Sequence, residues 1–69
     1  MKKWKVTIHF EQRDITYTLT TYPTIREHEG VSRIFFVDEY TGLPKNFPYA
    51  KASIEEVEAW VMKYNNKKH

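Results

Sequence analysis

The sequence predicts a two-layer α+β domain: an antiparallel meander of three strands, four if residues 43–51 also pair, with one C-terminal helix on one face (β-β-β-α). Three observations carry this. Apolar and polar residues alternate with period two in three runs between Lys3 and Asp38. Ile54, Val57, Val61 and Tyr64 then recur at helical spacing. The chain has 69 residues and no cysteine, so a single domain, 1–69, must rest on one packed core without disulfide or thiolate-metal staples.

The first strand is expected over 3–10. Trp4, Val6, Ile8 and Phe10 point to one side, and Lys3, Lys5, Thr7 and His9 to the other. Glu11 to Asp14 make a loop without the Asn-Gly signal of a tight hairpin. The second strand, 15–22, places Ile15, Tyr17 and Leu19 on the apolar side and Thr16, Thr18, Thr20 and Tyr22 on the other. Pairing Phe10 with Ile15 sets Ile8 opposite Tyr17 and Val6 opposite Leu19, so the apolar sets share a face. A slip by one residue would invert all of them.

Pro23 ends that strand, and residues 23–30 read as a polar connection that re-enters at Gly30. The third strand, 31–38, pairs Tyr22 with Val31, which places Leu19 opposite Ile34 and Tyr17 opposite Phe36. Arg33, Phe35 and Val37 then join the threonine-rich side. Asp38 to Gly42 form a turn. Pro44 and Pro48 make 43–51 a loop or a short edge strand, from which Phe47 and Tyr49 tuck under the helix.

The helix is expected over 53–65. Ser53 and Glu56 have capping-box spacing, Glu55, Glu56 and Glu58 suit the positive end of the helix, and Asn65-Asn66 supply the stop. Residues 66–69 form a frayed tail. A domain this small buries only about 60% of its unfolded surface. Aromatics, 16% of the chain, must fill much of the core. Trp4, Val6, Ile8, Tyr17, Leu19, Ile34 and Phe36 form its predicted sheet side.

The chemistry points to binding. His9, His28 and His69 lack metal-ligand spacing, Gly30 and Gly42 stand apart from any phosphate loop, and Ser53 is accounted for as a cap. No enzyme, metal, cofactor or small-molecule substrate is expected. No apolar run is long enough for a membrane span, and the expected setting is cytoplasmic. The sheet side left open by the helix interleaves cations, hydroxyls and rings. Lys3, Lys5, Thr18, Thr20, Tyr22, Arg33 and Phe35 are its candidate nucleic-acid contacts, since cations neutralise phosphates and rings stack on bases. The same residue types are good strand formers, so a plain solvated face is the competing reading. A protein partner or homodimer is the alternative, through Phe35 and Val37 or the acidic Glu55 and Glu58 of the helix.

The run Arg33-Ile34-Phe35-Phe36-Val37-Asp38-Glu39-Tyr40-Thr41-Gly42, followed by Ser53-Ile54-Glu55-Glu56-Val57-Glu58-Ala59-Trp60, resembles the arm-type DNA-binding domain of phage and transposon integrases. The resemblance covers less than half of the chain. It implies a three-stranded sheet with a C-terminal helix, the sheet lying in a DNA major groove. The family's basic strand after the Thr-Gly turn is replaced here by a segment holding Pro44, Pro48, Lys45 and Lys51, so only Arg33 carries over as a contact. Size and lysine content are also similar in style to phage or mobile-element accessory proteins.

Overall fold

A computed structural model describes residues 2–58. They are nearly all β: β1 Lys2–His9, β2 Asp14–Leu19, β3 Thr24–His28, β4 Val31–Asp38, β5 Leu43–Pro48, a 3-10 turn Tyr49–Lys51 and β6 Ala52–Glu58. They form two antiparallel three-stranded sheets, sheet A in the order β2-β1-β6 and sheet B in the order β3-β4-β5. This overturns the α+β expectation. Residues 52–58, read as the start of a helix, are a strand on the free edge of β1, with Val6 opposite Ile54 and Ile8 opposite Ala52. The rest of the expected helix, 59–65, and the tail 66–69 lie outside the described residues.

Three further expectations change. The β1–β2 register is shifted by two residues, pairing Ile8 with Ile15, Val6 with Tyr17 and Trp4 with Leu19, and the loop moves from 11–14 to 10–13. A two-residue shift preserves side-chain parity, so each apolar residue keeps its face. The loop Phe10–Arg13 is closed by Phe10 N–H donating to the Arg13 carbonyl, 3.0 Å. The second strand stops at Leu19 rather than Tyr22. The chain turns at Thr20–Pro23, with Pro23 buried, and crosses into sheet B. The polar connection is a strand, β3, and it displaces β2 as the partner of β4, with Thr24 opposite Phe35 and His28 opposite Val31. Residues 43–48 pair with β4 as the edge strand β5. Pro44 and Pro48 are an even number of residues apart, so both nitrogens face the same, unpaired edge of that strand.

The core lies between the inner faces of the two sheets. Val6, Ile8, Leu19, Ile34 and Phe36 are buried, and Trp4, Tyr17, Phe47, Ala52 and Ile54 pack against them. Tyr17 and Phe36 were expected as neighbours in one sheet. They meet across the sandwich, rings 4.9 Å apart at 62°. Phe47 adds a third ring, 6.1 Å from each. Phe47 and Tyr49 were placed beneath a helix, whereas Phe47 belongs to this inter-sheet cluster and Tyr49 is exposed. The expected layer of helix is thus replaced by a second sheet. No helix among the described residues is long and apolar enough to cross a membrane.

Candidate nucleic-acid interface

Each sheet has an outer face turned away from the common core. The expected single binding face is divided between them. Lys3, Lys5 and Thr18 lie on the outer face of sheet A, where Lys5 pairs with Thr18 on one side and Glu55 on the other. Asp14 shares that parity, so the signs alternate. Lys2, on the opposite face of β1, is 3.3 Å from Glu56. Both ends of that ion pair are solvent-exposed, and such pairs contribute little.

Arg33 and Phe35 lie on the outer face of sheet B. Register sets Arg26 of β3 directly opposite Arg33. It also flanks Phe35 with Thr24 on one side and Asn46 on the other. The Arg33 guanidinium is held in place, its Nε and Nη2 donating to Asn46 Oδ1 at 3.0 and 2.8 Å. Its remaining donors lie outside that contact. The carboxylates of these strands, Glu27 and Asp38, have the opposite parity, so no described residue at an outward position of β3, β4 or β5 is acidic. Glu29, in the turn beside the face, sits 3.6 Å from His28 Nε2 with both side chains exposed.

The other expected contacts are engaged elsewhere. Thr20 donates from its backbone N and its hydroxyl to Glu39 Oε2, both at 2.9 Å, tying the β2–β3 crossing to the loop after β4. Tyr22 stands edge-on to Trp4, ring centroids 4.9 Å apart. It lines a cleft of about 230 Å³ with Pro23, Phe35 and Glu39. The alternative protein-interface set is divided too. Phe35 and Val37 face out from sheet B, while Glu55 faces out from sheet A and Glu58 ends β6 opposite Lys2. Thr24 and Arg26 escaped sequence reasoning because β3 has one apolar residue, Ile25, and therefore no alternation, and Asn46 escaped because Pro44 and Pro48 left its strand, β5, open as a loop. The signal that could have found β3 is Gly30, since a hairpin closed just before it pairs 24–28 with 31–35.

Among the described residues, no cluster of three His, Asp or Glu side chains could hold a metal ion. The fold and this face define a small two-sheet β domain with one basic, aromatic sheet surface. Comparison with protein-family models, curated proteins and solved structures finds no match for this chain.

Proposed function

We propose that the protein is a module that binds single-stranded nucleic acid on the outer face of sheet B. The observation that carries this is the Arg26–Arg33 cross-strand pair, set among outward positions of β3, β4 and β5 none of which is acidic, with Glu27 also lining the hollow formed by Arg26, His28, Val31, Arg33 and Phe35. Like charges directly opposite each other destabilise a sheet, and a bound phosphate removes that repulsion. Phe35 lies two residues along β4, about 6.6 Å away at ordinary strand rise, within the reach from a phosphate to its own base. Thr24 and the Asn46 amide flank the ring with hydrogen-bonding groups. Bases inside a duplex are already stacked, so a lone sheet-borne ring favours an unpaired strand.

Fluorescence anisotropy with a labelled single-stranded oligonucleotide and its duplex, at two salt concentrations, tests the proposal. The single strand should bind more tightly, with affinity falling as salt rises. Phe35→Ala should weaken binding by about 1–3 kcal/mol, and Arg33→Ala should flatten the salt slope, while Lys3→Ala and Lys5→Ala change little. Absence of binding at low salt ends the proposal. One observation supports a second reading: Val31, Phe35 and Val37 form an exposed apolar row, 54%, 37% and 52% accessible. A protein partner or a second copy would cover it. Light scattering that shows a concentration-dependent dimer, lost in Val37→Ser, would favour that reading.

A further inference from the structure

The outer face of sheet A carries a second constellation, independent of the nucleic-acid reading. Asp14 of β2 is the register partner of His9 of β1. Ser53 of β6 pairs with Thr7, one outward position from His9 on the same face. The three side chains form one line across three strands. His9 Nδ1 is 3.1 Å from Asp14 Oδ1, and His9 Nε2 is 2.8 Å from Ser53 Oγ. A carboxylate on Nδ1 keeps the imidazole proton there, which leaves Nε2 to accept from the serine hydroxyl. Those are the hydrogen bonds of nucleophile to base and base to orienter that acyl transfer requires.

We propose that Ser53 is a base-activated nucleophile that accepts acyl groups from small carboxylic esters, with His9 as general base and Asp14 as its positioning residue. Ser53 Oγ bonds to the ester carbonyl carbon as its proton passes to His9 Nε2. The carbon–oxygen bond to the leaving alcohol then breaks, and that alcohol takes the proton from His9. Water, deprotonated by His9, attacks the acyl-serine, and Ser53 leaves with the proton as the free carboxylic acid departs. β6 is an edge strand, so the carbonyl can approach from its open side. A depression lined by Phe10, Glu11, Gln12, Arg13 and Lys51 adjoins this end of the sheet. Phe10 gives it one apolar ring for a short acyl chain, and the rest of its wall is polar or charged. The face is open to water, so the expected gain is that of general-base assistance, about 10²–10⁴-fold.

A phosphonyl fluoride is the probe. It forms a stable Ser–O–P bond and releases fluoride, and peptide mass spectrometry locates the label. Ser32 is the only other serine in the chain and serves as an internal reference. Ser53 should label at least about 100-fold faster than Ser32. His9→Ala should remove that advantage, with added imidazole restoring part of it. Asp14→Asn should slow labelling and Asp14→Glu restore it, with the melting temperature unchanged in both. Equal labelling of Ser53 and Ser32 in the unsubstituted chain overturns the proposal, whatever the variants do. Undiminished labelling of a folded His9→Ala variant overturns it as well.

Discussion

Glu29 and Gly30 join β3 to β4, and both take positive φ, 54° and 79°. That pair of angles belongs to a two-residue hairpin turn whose twist matches the strands, and Asn-Gly is its preferred sequence. A glutamate at the first position is held in a left-handed conformation that disfavours an L side chain by about 1–2 kcal/mol. Glu29→Asn should therefore stabilise the domain by about 0.5–1 kcal/mol in urea unfolding. The exposed His28–Glu29 contact that it removes weighs little against this. Gly42 also has φ 79°, with nothing near the position of an added Cβ. Its N–H meets the Asp38 carbonyl at 2.6 Å, and the Asp38 carboxylate accepts from Tyr40 N at 3.0 Å, which closes the loop. Gly42→Ala should cost about 1–2 kcal/mol through backbone strain alone. Both glycines were legible as turns from residue type. Glu29 was not, because nothing in a glutamate signals positive φ. Among the residues proposed to bind, Arg33 and Phe35 were legible because β4 alternates clearly. Arg26 depends on a pairing that only the turn at Gly30 signals, and Asn46 on one that its own proline-flanked segment does not encode.

At the scale of the element, residues 52–58 are the instructive case. Ile54 and Val57 fit a helical stripe, yet Ala52 and Ile54 fit a strand equally well. Ser53 looked like a helix cap, but its hydroxyl meets His9 instead. Local preference yields here to pairing. The segment supplies a hydrogen-bonding partner to β1 and puts Ala52 and Ile54 against the core, and such context overrides a weak propensity. Glu55 is exposed on β6 and reports the difference. Glu55→Thr should be more stable than Glu55→Ala by about 0.5–1 kcal/mol, by thermal unfolding. A helix at this position would reverse that order. β3 makes the same point from the other side, since all five of its residues are exposed and only the ladder to β4 makes it a strand.

At the scale of the molecule, stability rests on a small inter-sheet core in which Ile34 is fully buried at the centre of sheet B. Ile34→Ala should cost about 2–5 kcal/mol, a large share of the stability of so small a domain. Circular dichroism should show it melting far below the parent or unfolded at room temperature. The seven sheet residues assigned to the core from alternation all lie in or against that core. By itself the sequence determined which side of each alternating strand turns inward, because parity survives a two-residue change of register and any change of partner. Only the tertiary structure decided what covers that side. Alternation says nothing about whether a sheet or a helix lies opposite, or which strand β4 pairs with. Those outcomes depend on contacts between residues far apart in the chain: β6 on the edge of β1, and β3 in place of β2 beside β4. The same contacts split the expected binding face, leaving Lys3 and Lys5 on sheet A and Arg33 and Phe35 on sheet B.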